Sequence, residues 1–437
     1  MELFHILGVD TGVDTVDFGC SNVYSHIDAY FDSTKLNKMA DLIKFEKILH
    51  GCKDDTFDVG IRIDIDLIPL GGPGTPVKPA VYLGGEYQHD RRWASSEDKE
   101  AQDVIVIDNV PSQANRLEEA LRCHRELIGL PEFILDLSEI ESLPTHLPRN
   151  LSSFQFPHRN ADAYLRDAML DEEPFISSKL GKQIFDATAQ NCGPLMSWFP
   201  QALLYGFWQS HLGKKKSNSK HARAWVSEII GWQPATDKTR VFGLKGDPLN
   251  LNTDDVITSN PDDRTQWEIG KSKEIVGGKP DKLSEMGHGQ VPFTGDDASL
   301  AAISFTRISQ RATVSFAQLR RVRIDDQFRS EKNAACRALL VALGLHAHQL
   351  AFGHGFSLRS GADLRPQHTR ATWLGSADDF EISLGSVKCT LDLLQDARKH
   401  AEEVGITLDG WSEQPKVLKP KKNLESAILA TWPQITD

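Results

Sequence analysis

The sequence predicts an α+β fold, and three observations predict it. Over Val59–Leu70, Ile61, Ile63, Ile65 and Leu67 alternate with Arg62, Asp64 and Asp66, the period-two pattern of a strand with one buried face. Behind a β-branched run, Asp103–Asp108, the residues Ala114, Leu117, Ala120, Leu121, Leu127 and Ile128 recur at helical spacing. A second apolar helix, about Ser330–Leu350, lies between strand-like stretches near 300–324 and Ala371–Leu374.

Taken in order, residues 1–57 form an acidic accessory segment, partly helical around Lys38–Leu49. The strand at Val59–Leu70 ends in Gly71-Gly-Pro-Gly-Thr-Pro76, a turn-rich loop. Asp103–Asp108 then runs into a helix over 112–128, with Ser112 at the N-cap. Glu132–Leu137 reads as a strand. A helical region follows over roughly 160–232, broken at Asn191-Cys-Gly-Pro194 and near Pro200, and ends by Pro234. Residues 244–298 have little periodicity and many Gly, Pro, Asp and Lys, the composition of a functional arm or flexible loop. Leu300–Ile324 reads as a strand pair, followed by the Ser330–Leu350 helix, a strand near Ala371–Leu374 and a helix over Cys389–Val404. Strand, helix, strand, strand, helix, strand is the order of the ferredoxin-like βαββαβ unit, here enlarged by insertions. The expected layout is an accessory segment at 1–57, an α+β body from 58–158 and 299–410, a helical insertion at 159–243, an arm at 244–298 and a tail at 411–437.

At 437 residues the chain is long enough for two or three domains. Its net charge of −12 argues against indiscriminate coating of nucleic acid but leaves room for a local cationic groove. Leu212–Val226 carries Lys214, Lys215, Lys216, Lys220 and Arg223 with no acid, and Thr306–Ile324 carries Arg307, Arg311, Arg320, Arg321 and Arg323, again with none. Either segment reads as a binding surface or as a plain solvated face. No uninterrupted apolar run approaches the roughly 18–20 residues that span a bilayer, and the N-terminus lacks the pattern of a signal peptide. A cytoplasmic protein without a membrane partner is therefore expected. Six scattered cysteines without a CxxC pair point to reduced thiols rather than structural zinc.

Ser112, Asn115 and Arg116 fall in the opening turn of the 112–128 helix, where a cation opposes the helix dipole. An anion such as a phosphate, facing Arg116 and the free backbone N–H groups, would offset that cost. The other reading is a surface pair of Arg116 with Glu119 or Glu118. No phosphate-binding loop, nucleophile elbow or H-E-x-x-H is present. His346-Ala-His348, with His354, is the best metal candidate, yet residues two apart do not share a helix face. Among the crowded aromatics Trp198, Phe199, Tyr205, Phe207, Trp208, Trp225 and Trp232, most read as core, with Leu203, Leu204, Phe207 and Trp208 on the buried side of a helix. Those nearest the lysines remain open as a stacking platform.

Three stretches resemble a known family. Ser112-Gln-Ala-Asn-Arg-Leu-Glu118 is similar to its Ser-x-x-Asn-Arg-Leu-Glu helix start. Leu204-Tyr-Gly-Phe207 is similar to its Leu-His-Gly-Val/Phe segment, with Tyr205 in place of histidine. Leu358-Arg-Ser-Gly-Ala-Asp-Leu-Arg-Pro366 is similar to its late Leu-Arg-Ser-x-x-x-Leu-x-Pro strand. The family is the backbone subunit of the type I-G (formerly I-U) CRISPR surveillance complex, or Cascade, a member of the RAMP superfamily and a relative of the seventh Cas protein family. The resemblance covers about residues 59–375. It implies an RRM/ferredoxin-like palm and a thumb, and a non-catalytic protein without cofactor or metal. Such a subunit lines up in several copies along CRISPR RNA and presents the spacer to a target DNA strand. Its implied partners are CRISPR RNA, the paired target strand, further copies of itself, other Cascade subunits and a recruited helicase-nuclease.

On this reading the RNA meets Ser112, Asn115, Arg116, Lys214, Lys215, Lys216, Arg307, Arg311, Arg320, Arg321, Arg323 and Arg359 along one continuous positive trough. Lys271, Lys273 and Lys279 lie on the thumb. Two alternatives belong to other classes. One is an endoribonuclease of the same superfamily using His124, His288 or His354; the other is a metal-dependent hydrolase using His346, His348 and an acid.

Overall fold

The computed structural model describes residues 40–82, 85–210, 219–235, 243–245, 248–249, 251, 256–288, 291–293 and 300–431. In chain order its principal elements are α1 (Phe45–Gly51), β1 (Gly60–Pro69), β2 (His89–Arg92), β3 (Gln102–Asp108), α2 (Val110–Cys123), β4 (Trp225–Pro234), β5 (Phe305–Ser315), α3 (Glu331–Phe352), β6 (Phe356–Ser357), β7 (Asp363–Leu374), β8 (Phe380–Ile382) and α4 (Val387–Glu403). The fold is α+β, centred on an antiparallel sheet of order β6-β7-β1-β5-β4-β3-β2, with β8 added on β7.

The alternation in β1 sets the two faces of this sheet. Ile61, Ile63, Ile65 and Leu67 are buried, and across the ladders Ile63 lies opposite Ala312 and Ala371, Ile65 opposite Gln310. Gln310 donates to Gln113 of α2 at 2.7 Å, so this parity faces the helices. There α2 packs on β4 and α3, and α3 packs on α1 and α4. Ser330 caps α3 by accepting from the N–H of Asn333. The length and apolarity of α3 would allow it to cross a bilayer, a possibility that reading uninterrupted apolar runs did not single out. Of its most apolar 18-residue stretch 83 % is buried, as expected of a core helix. The charge it takes into the core, Arg337, pairs with Asp54 at 2.7 Å and donates to the carbonyls of Cys52, Val322 and Arg320.

Three expectations are corrected. Trp225–Pro234 is a central strand rather than the end of a helical region; the described residues before it hold short helices, at Ala163–Arg166, Lys179–Asp186, Gly193–Trp198 and Pro200–Tyr205, interspersed with short strands such as Ala168–Leu170 and Phe207–Gln209. Leu300–Ile324 holds one long strand, β5, then a single helical turn at Phe316–Leu319, rather than a strand pair. Phe133–Asp136 lies outside the main sheet. It pairs in parallel with Lys416–Pro420, in a second sheet completed by Asn150–Ser152, Ala168–Leu170 and Glu173–Pro174. Part of the tail is thereby a structural strand.

Of the accessory segment, Leu42 bridges to Ser383 and α1 packs on α3, while residues 1–39 lie outside the described residues. Between β4 and β5 the chain makes a nested antiparallel excursion. Gly243–Lys245 pairs with Val291–Phe293, and further out Val256–Ser259 lies between Trp267–Ile269 and Lys279–Lys282. Expected to be irregular, this arm contains paired strands, held by local polar bonds such as Thr258 Oγ1 to the Gly270 carbonyl at 2.6 Å.

Candidate nucleic-acid interface

The helix start that carries the first family-like stretch is built around a carboxylate the motif does not contain. Asp108, the last residue of β3, is 0 % exposed and lies between two guanidiniums. Arg116 donates from Nε at 2.9 Å and Arg359 from Nη2 at 2.9 Å, with Ser112 Oγ at 2.8 Å and the Gln113 amide completing the shell. Arg116 also donates to the Leu358 carbonyl at 2.9 Å, and Arg359 to the carbonyls of Lys78 and Ile107 at 3.1 and 3.0 Å. Asp108 thus ties the start of α2, the 357–359 corner and the chain beyond the glycine-rich loop into one joint. Neither surface pair considered for Arg116 forms: Glu119 bonds Arg122, and Glu118 bonds Arg159. The N-cap is Asn109, which accepts from Ser112 N at 3.1 Å, so Ser112 lies inside the helix.

The second family-like stretch meets the first through Arg159. This residue, at a positive φ of 54°, grips buried Glu118 with two bonds of 2.7 Å and donates to the Gly206 carbonyl at 3.0 Å. Burial pushes the Glu118 carboxyl up, against the opposing pull of Arg159. Burial also pushes the buried Tyr205 hydroxyl well up, with Arg159 5.8 Å from its ring. Gly206 has φ 80° and ψ 161°, a region open essentially to glycine, and an added Cβ would sit 2.8 Å from the His221 carbonyl. Gly206→Ala should cost about 1–3 kcal/mol, read as a lowered urea midpoint with an unchanged slope.

Over this joint lies a groove of about 450 Å³, lined by Pro111, Asn115, Phe154, Phe156, Arg159 and Arg223 among others. Asn115 and Arg223 are exposed. Asp108, Arg159 and the groove-lining role of Arg223 were not identified as site features from the sequence. Their partners are distant in the chain, so no local spacing marks them.

On the opposite face of the sheet the register places Arg370, Asp64, Arg311 and Glu228 side by side on β7, β1, β5 and β4. Asp64 is shared by Arg62 at 2.9 Å and Arg311 at 2.7 Å, and Glu228 pairs with Arg92. Further along β5, Arg307 lies 4.7 Å over the ring of Trp232, whose Nε1 donates to Ser309 Oγ at 2.9 Å. Arg307, Arg311 and Arg370 are exposed.

The expected residues therefore do not form one continuous trough. Arg307 and Arg311 occupy the helix-free face, while Asn115 lies on the helix side. Arg116 and Arg359 are engaged by Asp108. Arg320 donates to the carbonyls of Gly51, Lys53 and Asp58 and so caps α1. Arg321 is exposed near His221, and the backbone of Arg323 pairs with Ala189 and Cys192. Lys214, Lys215 and Lys216 lie outside the described residues. Lys271, Lys273 and Lys279 are exposed on the arm. Trp208, expected in the core, is 60 % exposed on a short strand, whereas Trp198, Phe199, Tyr205, Phe207 and Trp225 are buried.

His346 and His348 are buried in α3, and burial pushes both imidazoles down to about 4. Their positions are core positions: His346 Nδ1 lies 3.1 Å from Thr390 Oγ1, and His348 packs by Trp225 and Phe352. Among the described residues, no group of three or more His, Cys, Asp or Glu is arranged to hold a metal ion. His124 Nδ1 lies 2.9 Å from the Ala120 carbonyl, and His288 packs by Trp267.

Residues 61–235 match the family described as CRISPR-associated protein GSU0053 (Cas_GSU0053), a span from β1 through β4. The match supports a CRISPR-associated protein with a role in CRISPR defence. No curated protein matches the chain.

Proposed function

We propose that this chain is the guide-RNA-holding backbone subunit of a type I-G surveillance complex, a non-catalytic protein of the RAMP superfamily that presents the spacer for pairing with target DNA. The observation that carries the reading is the family match over residues 61–235, which contains both the 112–118 and 204–207 stretches. The topology supports it. β1, α2, β4, β5, α3 and β7 follow as strand, helix, strand, strand, helix, strand, and the sheet runs β7-β1-β5-β4, a ferredoxin-like palm with β3 and β2 added at one edge. The nested excursion between β4 and β5, with Lys271, Lys273 and Lys279 exposed, is the thumb in this reading.

The guide's sugar-phosphate chain is assigned to the helix-free face. Arg307, Arg311 and Arg370 supply cations there, and Asp64 and Glu228 hold the neighbouring guanidiniums in place. Backbone contacts position the guide and leave sequence reading to base pairing. Arg116 and Arg359 are positioning residues, holding the 357–359 corner to α2. The partners in this reading are CRISPR RNA, the paired DNA strand, further copies of the chain, other Cascade subunits and a helicase-nuclease.

Co-expression with a CRISPR array tests the whole reading. The purified protein should carry guide RNA, seen as strong absorbance at 260 nm and a particle several protomers in mass. A nucleic-acid-free monomer that ignores guide RNA at low salt overturns it. Arg307→Ala with Arg311→Ala should weaken guide binding and make the logarithmic salt dependence shallower by about 0.7 for each phosphate no longer neutralised. An unchanged slope removes the helix-free face from the path of the RNA.

A further inference from the structure

The segment 207–226 contains no acidic residue, and its two short strands form an antiparallel hairpin pairing Phe207 with His221, Trp208 with Lys220 and Gln209 with Ser219. Alternation gives this hairpin two unlike faces. Phe207, Gln209 and His221 are buried. His221 Nε2 lies 2.9 Å from the Leu203 carbonyl, and Gln209 donates to the Phe185 carbonyl at 3.2 Å. The other face is the single pair Trp208 and Lys220, with the ammonium 5.5 Å from the ring centroid. An indole 60 % exposed is unusual, because tryptophan ordinarily buries most of its large apolar surface. A bare aromatic ring with a lysine ammonium beside it, on a strand pair that carries no acid, fits one ligand chemistry: a stacked base with an adjoining phosphate.

We propose that Trp208 is a stacking platform for an unpaired nucleobase of a single-stranded nucleic acid, with Lys220 attracting the adjoining phosphate. The site is carried by a different element from the helix-free sheet face, and it stands whether or not that face holds the guide.

The test uses the full chain, purified at high salt, with fluorescein-labelled oligothymidine, oligouridine of equal length and a duplex of equal length, followed by fluorescence anisotropy. Trp208→Ala should weaken binding of the single strands about ten-fold, within the range expected for the removal of one stacked base. Trp208→Phe should retain most of the affinity, and the duplex, whose bases are already stacked, should bind both variants as it binds the parent. Lys220→Gln should give a smaller loss that disappears at high salt. The stronger of the two single strands identifies the source as DNA or RNA. Single-strand binding unchanged in Trp208→Ala overturns the proposal. So does an equal loss on the duplex, and so does a Trp208→Phe variant as weak as Trp208→Ala; each would make the exposed indole a contact for something other than a base.

Discussion

Asp108→Ala should destabilise the folded chain by about 3–5 kcal/mol, the cost of removing one partner from a buried ion pair. The carboxylate is fully buried and accepts from Arg116, Arg359, Ser112 and Gln113. Its loss leaves two guanidiniums facing each other across a cavity. Both are about a quarter exposed, so they can recover part of their hydration, which favours the lower end of the range. Asp108→Asn keeps the shape and removes the charge. Arg116→Ala and Arg359→Ala should each cost less, since the other guanidinium still neutralises Asp108, and the double variant should cost more than the sum. Urea midpoints of the five variants check this. An Asp108→Ala protein with the parent's midpoint would mean that the joint contributes nothing. The same reasoning changes what an Arg116 substitution reports: weaker guide binding by Arg116→Ala counts as a phosphate contact only if the urea midpoint is unchanged.

The parts of the fold legible in the sequence are those where burial is one-sided. β1 shows its period because Arg62, Asp64 and Asp66 face away from the helices that cover Ile61, Ile63 and Ile65. α2 and α4 show theirs because each has one buried stripe. β4 was misread for the converse reason. Trp225 and Ile229 are buried on the helix side, while Ile230 and Trp232 are buried with Val104 on the other. Two-sided burial erases alternation and leaves apolar residues at 225, 229 and 232, a spacing that imitates a helix. Trp208 failed in the opposite direction, because a three-residue strand is too short to display any period. For the site, the stretches bearing the family resemblance are joined in the fold by Arg159 and Arg116. What they do locally depends on partners the stretches lack. Arg116 has glutamates within one helical turn, yet it bonds an aspartate supplied by the preceding strand, and Glu118 bonds an arginine 41 residues away. The pairing of Lys416–Pro420 with Phe133–Asp136 spans almost 300 residues and leaves no local trace.

The second large effect is an acid-side loss of stability driven by two core histidines. His346 and His348 sit in α3 with ordinary imidazole values of 6.5, and burial pushes both down to about 4. The Thr390 hydroxyl donates to the Val387 carbonyl at 3.0 Å, so its oxygen is free to accept from Nδ1–H of His346, an arrangement that fits a neutral ring. His348, packed by Trp225 and Phe352, is 2 % exposed, and burial is what holds its ring neutral. Between pH 6.5 and about 4 the unfolded chain binds protons at these two positions and the folded chain does not. Stability contributed by their neutrality is therefore complete above pH 6.5 and declines as the pH falls toward 4, by up to about 3 kcal/mol for each imidazole. His348→Phe should remove one of the two contributions, because phenylalanine fits an aromatic pocket and takes no proton. Unfolding free energy measured against pH from 7 to 4.5 should then fall less steeply in the variant, the two curves differing by up to about 1.4 kcal/mol per pH unit below 6. Carboxylates titrating in the same range act on both proteins and cancel in the comparison. Parallel curves would mean that His348 gains its proton in the folded chain at the same pH as in the unfolded one, and that the core around α3 admits water.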